Sequence, residues 1–220
     1  GGIDARGVLA DGILAQSRGD AGQGDITVTV EDALVRGGRG AAAGVRLLDG
    51  ADNRVDNRGG WITTQSGIDG LAIVGTVGND QVNNAGRVTG SIDLGAGRNG
   101  FDNQAGARLE AGATLALGTG NVLANAGQLS PHGRGRIGTT ALSGDLAQSA
   151  DGRLEIDLDV MAGTADRLEA SGTATLAGAI DLVAVKPAPA QRRIVIVSAG
   201  EGLDAAALDV DAARSAVAGY

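Results

Sequence analysis

Four copies of one short phrase run through the middle of the chain: an apolar residue, any residue, Asn, then a short step to Gly. They are Val55-Asp56-Asn57-Arg58-Gly59, Val82-Asn83-Asn84-Ala85-Gly86, Phe101-Asp102-Asn103-Gln104-Ala105-Gly106 and Leu123-Ala124-Asn125-Ala126-Gly127. Successive Asn positions lie 27, 19 and 22 residues apart. A repeat of roughly 20 to 25 residues marks a solenoid, in which one unit forms one coil and cannot bury its apolar face alone. The repeat therefore predicts an all-β fold, a right-handed parallel β-helix, before any site is considered.

The composition fits a thin, layered interior. Hydrophobic residues make up 43% of the 220, yet only 1% are aromatic, so the core has to be built from Ala, Val, Leu and Ile. Glycine occurs 39 times and proline only 3 times. That glycine content is well above the usual share of about 7% and, without a collagen period, reads as turns between short strands. Asp25-Ile26-Thr27-Val28-Thr29-Val30 alternates with the period of a half-buried strand, and Ala43-Gly44-Val45-Arg46-Leu47-Leu48 is a second, stopped by Asp49-Gly50. In the repeats, Asn is expected to take the left-handed backbone at a sharp bend. Its side chain is expected to hydrogen-bond with the Asn of the next coil, making Asn57, Asn84, Asn103 and Asn125 a ladder. Val88, Leu109 and Leu129 then restart an inward-facing strand.

Beyond Gly127 the texture changes. Ser130-Pro131 interrupts the repeat, and Arg153-Leu154-Glu155-Ile156-Asp157-Leu158-Asp159-Val160 alternates cleanly, which predicts a solvated face for Glu155, Asp157 and Asp159. Gly172–Gly178 and Ala179–Val185 read as two further strands, Lys186-Pro187-Ala188-Pro189 as a loop, and Arg193–Val197 as a buried strand. Together they predict an antiparallel β cap on the open end of the stack. The chain divides on this reading into coils over 1–124 and a capping region over 125–220. Because it opens at Gly1-Gly2 inside the repeat texture and stops at Tyr220 with no barrel strands, it is expected to be a piece of a longer protein.

The Asn-Ala-Gly repeats leading into Leu129-Ser130-Pro131, then Gly138-Thr139-Thr140-Ala141-Leu142-Ser143-Gly144-Asp145-Leu146, resemble the C-terminal passenger region of bacterial autotransporters. Gly163–Gly178 resembles the same family. The resemblance is strong over 120–203 and rests on texture over 1–119. It implies export through a translocator barrel of the same protein in a Gram-negative bacterium, display at the cell surface or release, and an autochaperone from about Asn125 onward that folds first. The hydrophobic nucleus of that region would be Leu154, Ile156, Leu158, Leu168, Leu176, Ile180, Leu182, Ile194 and Ile196.

Other readings compete with a purely structural one. Arg18-Gly19-Asp20 matches a cell-attachment tripeptide, which would make the chain an adhesin for a host-cell receptor or a neighbouring cell; the plain alternative is a Gly-rich turn. Gly133-Arg134-Gly135-Arg136-Ile137-Gly138 and Gly95-Ala96-Gly97-Arg98-Asn99-Gly100 fit a dinucleotide-loop spacing, but strand-like alternation rather than a helix follows both. Three turns resemble weakened calcium-binding nonapeptides, with Asn99 and Asn121 where a carboxylate would be needed and only Asp80 retaining one. His132, the single histidine, sits in a turn without a nucleophile elbow, so the sequence predicts no enzyme, and neither cofactor nor metal. A β-helical polysaccharide enzyme would need carboxylates aligned on one face, whereas Asp52, Asp56 and Asp80 are scattered. Trp61, the lone tryptophan, reads as a packing residue. The net charge of −8 argues against nucleic-acid binding, and the expected state is a monomer.

Overall fold

The computed structural model describes residues 1–19, 24–186 and 193–209. Its strands wind into eight successive coils with three faces, here called A, B and C. Face A begins with Gly2–Asp4, Leu34–Gly37 and Trp61–Thr64, and runs through the first halves of Arg87–Asp93 and Arg108–Ala116 to Gln128–Pro131 and Arg153–Asp159. Face B runs from Ile13–Ser17 through Ala43–Asp49 and Leu71–Val74 to Thr139–Ser143, Arg167–Ala170 and Val197–Ala199. Face C holds Thr27–Glu31, Asp52–Arg58, Asn79–Asn84, Gly100–Asn103, Val122–Asn125 and Asp145–Gln148. The chain is a parallel β-helix.

Parallel pairing in register superimposes equivalent residues about 4.8 Å apart, so the core is a set of columns. On face C one column reads Val28, Val55, Val82, Phe101, Leu123, Leu146 and Ala174. On face A it reads Val35, Ile62, Val88, Leu109, Leu129, Leu154 and Ile180, and all but the last are almost wholly buried. Ile13, Val45, Ile73, Ile92, Leu115 and Leu142 form the third wall. The columns converge on a narrow interior, in which Phe101 is the single ring among the described residues. The ends differ from the middle: Ile3 and Leu203 top and tail their columns and are exposed.

The expected Asn ladder is present and extends further than the repeat suggested. Asn57 Nδ2 donates to Asn84 Oδ1 at 2.7 Å, Asn84 to Asn103 at 2.8 Å, Asn103 to Asn125 at 2.8 Å, and Asn125 to Gln148 Oε1 at 2.9 Å. Gln148 closes the row by donating to the carbonyl of Ala177 at 2.7 Å. The same Asn amides also reach backbone carbonyls at the A-side corner, those of Arg87, Arg108 and Gln128. None of these Asn residues has positive φ, so the left-handed role predicted for them is not used. The bend falls to glycine in two ways. Gly59 and Gly106 take φ near +80°, whereas a Cβ at Gly127 would collide with the carbonyl oxygens of Ala107 and Gln104 in the coil below.

The cap differs from the sequence reading. The strands beyond Gly127 continue the parallel coils, and among the described residues antiparallel pairing there is confined to a hairpin joining Leu158 to Ala165 and Asp159 to Thr164. The two strands expected on either side of Gly178 are one, Thr173–Lys186, turned from face C to face A at Gly178 with φ +69°. This strand pairs with three others, Asp145–Gln148, Arg153–Asp159 and Gly202–Asp209. Of the expected buried strand at 193–197, only Val197 is buried, and Val195 is exposed. The predicted nucleus residues Leu154, Ile156, Leu168, Leu176 and Ile180 lie in the core; Leu158, Leu182, Ile194 and Ile196 are half-buried. Pro187, Ala188 and Pro189 fall outside the described residues.

The ladder makes a ranked prediction. Asn103→Ala removes the donor to Asn125 Oδ1 and leaves Asn84 Nδ2 with only the Arg108 carbonyl, at a cost of about 2–4 kcal/mol. Asn57 stands at the head of the row, where its Oδ1 is already unpaired because Val30 precedes it. Urea denaturation of the two Ala variants should therefore show the larger loss at position 103.

Candidate functional site

The outward side of face A carries the chemistry. Trp61, Arg87, Arg108, Gln128 and Arg153 share one outward column, and Thr63, Thr89, Glu110, Ser130, Glu155 and Asp181 share the next. An exposed sheet would leave both columns wet, yet Thr63, Thr89, Glu110, Ser130 and Glu155 are buried. Two excursions from the coils cover them. One is the turn around the short 3₁₀ segment Gly67–Asp69; the other is the loop from His132 to Gly138. The loops lock to each other through Arg136, whose Nη1 and Nη2 meet Asp69 at 3.1 and 3.2 Å.

The second loop also explains the burial of Glu155 and Asp157, which corrects the solvated face expected for them. Arg134, Gln128 and Ser130 donate to the Glu155 carboxylate, and the backbone amides of Gly135 and Arg136 donate to Asp157 Oδ2. The glycine spacing of residues 133–138 thus shapes a loop whose amides hold a carboxylate of the same chain. Asp166 is fully buried beside this cluster and accepts the amides of Gly138 and Asp157. Burial pushes its carboxyl up to about 7 despite those bonds, with Asp157 and Glu155 adding repulsion. Asp159 is also buried, capping Ala162 N and meeting Lys186 at 3.2 Å.

Between the loops the sheet floor remains open as a cleft of about 620 Å³ lined by Ile68, Arg87, Arg108, Glu110, Arg134 and Arg136. Trp61 Nε1 donates to Thr89 Oγ1 at 3.0 Å, and that hydroxyl donates to Glu110 Oε2 at 3.1 Å. Arg87 Nη2 reaches the same oxygen at 2.7 Å while its guanidinium stacks 4.3 Å from the Trp61 ring centre. Trp61 is therefore more than packing: it fixes the arginine beside the cleft.

The remaining sequence candidates lie elsewhere. Arg18 is exposed but held by Asp49 at 2.9 Å; Gly19 is exposed, and Asp20 falls outside the described residues. His132 turns the chain with φ 56° and lies under Gly138. The calcium-like turns form a second polar column at the corner between faces B and C. There Asn53, Asn99 and Asn121 each donate to the carbonyl four residues earlier, those of Asp49, Gly95 and Leu117. Asn99 and Asn121 in addition accept the backbone amides of Asp80 and Asn99 in the preceding coils. Among the described residues no cluster of three or more His, Cys, Asp or Glu side chains is placed to hold a metal ion, and no helix is long and apolar enough to cross a membrane. Comparison with family models, curated proteins and solved structures finds no match to this chain.

Asp80 is the exception in the second column. Its Oδ1 accepts from Asn53 at 2.8 Å, but Oδ2 is buried without a partner, at the position where the neighbouring Asn residues present a donor. Burial pushes its carboxyl up to about 6. The unfolded value is about 3.9, so the native state binds more protons between those values. Stability from this group is complete below about pH 4 and is lost as pH rises through 6. Asp80→Asn should raise stability at pH 7 by on the order of 2 kcal/mol and flatten part of the decline, measured by urea denaturation from pH 4 to 8. A residual slope belongs to Asp166 and Asp157, whose shifts have the same sign.

Proposed function

We propose that this chain is a structural passenger segment of a bacterial autotransporter, a β-helical stalk displayed at the cell surface whose C-terminal coils fold first and template the rest. The observation that carries this reading is the Thr173–Lys186 strand. Its 14 residues pass from face C to face A and pair with three other strands, so it ties the last three coils into one unit. Each earlier coil then needs only the edge of its successor to dock on, since the ladder pairs and the Asn row repeat coil by coil. Such growth would draw chain outward without nucleotide, as each added coil buries its apolar side chains and cannot slide back.

The buried network of Glu155, Asp157 and Asp166 with the 132–138 loop supports the same assignment of a nucleus. It fixes a specific arrangement of two coils that a simple apolar column would leave open to register slips. An adhesive role through Arg18-Gly19-Asp20 would first have to release Arg18 from Asp49.

The test is refolding of complementary pieces. A fragment of 120–220 should regain β structure cooperatively after dilution from denaturant, followed by far-UV circular dichroism. A fragment of 1–119 should refold far more slowly or stay unfolded. Equal refolding of the two would contradict the templating order.

A further inference from the structure

The cleft on face A is an odd feature for a stalk of net charge −8. Parallel register places Arg87 directly beside Arg108 on adjacent rungs, about 4.8 Å apart at the backbone. Like charges opposed in a sheet repel, and here two further arginines, Arg134 and Arg136, are brought in by a loop. The carboxylates do not balance this set. Glu110 is engaged by Arg87, Glu155 by Arg134 and Asp69 by Arg136. Arg108 has no carboxylate within salt-bridge distance among the described residues, and the buried Nε of Arg87 lacks a hydrogen-bond acceptor. Arg108 thus offers a guanidinium without an ion pair to the cleft, and the half-exposed side chain of Arg87 lines it alongside.

The shape of the cleft narrows the ligand class. About 620 Å³ is far more than a bare oxyanion fills and is in the range of small-molecule sites, roughly 300–1,000 Å³. Ile68 is the one apolar side chain of the lining, the rest being arginines, Glu110 and the backbone of Gly133. An aromatic or lipidic ligand finds no wall to pack on. A molecule rich in hydroxyls and carrying a carboxylate matches what is there: a planar anion for the arginine forks and hydroxyl donors for Glu110. We propose that this cleft binds an acidic sugar, with Arg108 and Arg87 taking its carboxylate.

This site is independent of how the coils fold, so its failure would leave the templating order untouched. The test is calorimetric titration of the intact chain with glucuronate, inorganic sulfate and glucose at low ionic strength. Glucuronate should bind, sulfate should bind more weakly and glucose not measurably. Arg108→Gln should weaken glucuronate by about tenfold or more, as expected for losing one charged hydrogen-bond donor. Its melting temperature should be no lower than the parent's, because Arg108 holds no ion pair among the described residues and its loss relieves the repulsion with Arg87. Arg153→Gln lies on the same column outside the cleft, paired with Asp181 at 2.8 Å, and should leave affinity within about twofold. Absence of glucuronate binding, equal binding of sulfate or glucose, or unchanged affinity in Arg108→Gln with a melting temperature no lower than the parent's would each overturn the proposal.

Discussion

Everything in this molecule follows from one geometric constraint. Backbone amides and carbonyls on all three faces find most of their partners one coil away, in parallel register. Whatever residue occupies a position must therefore coexist with copies of that position about 4.8 Å above and below. Apolar residues stack readily under this rule, as in the column from Val28 to Leu146. An amide side chain does so as well, because Asn and Gln carry a donor and an acceptor and can hand one to each neighbour. The row from Asn57 to Gln148 places such a chain of hydrogen bonds inside the fold, where a lone polar group would be costly. Asp80 shows the converse: a carboxylate lacks the donor, and its Oδ2 is left without a partner.

The same constraint organises the surface. Outward positions also stack, so charge on one rung is felt by the next. Several rungs resolve this with alternating sign, as Arg36 with Asp4, Arg58 with Glu31, and Arg153 with Asp181. Face A between Trp61 and Arg108 does not alternate, and there two loops fold back over the sheet. They bury Thr89 and Glu110, add Arg134 and Arg136, and convert an ordinary strip of sheet into a walled cleft. Loops that leave a solenoid cost no coil register, which is why they can carry chemistry on an otherwise repetitive frame.

The sequence made the solenoid legible because the Asn-to-Gly phrase recurs at coil spacing and the apolar columns follow it. The fifth rung, Gln148, was hidden by a change of residue type that keeps the hydrogen-bonding role. Alternation in Arg153–Asp159 announced a strand but is blind to the direction of its partner, so parallel coils read as an antiparallel cap. Glu155 and Asp157 looked solvated because their cover comes from residues 132–138, a tertiary event with no local signature. The arginine cleft was equally invisible. It depends on Arg87 and Arg108 being one coil apart, and on a glycine-rich loop that sequence spacing alone suggested for another purpose.

If the C-terminal coils template the rest, as proposed, stability and order pass from coil to coil starting at that end. Pulsed hydrogen exchange during refolding of the intact chain, read by mass spectrometry, addresses this most directly. Templated folding gives protection first in 145–186, then in 100–125, and last in 27–58. Protection that appears first in 27–58, or at one rate along the whole chain, would contradict it.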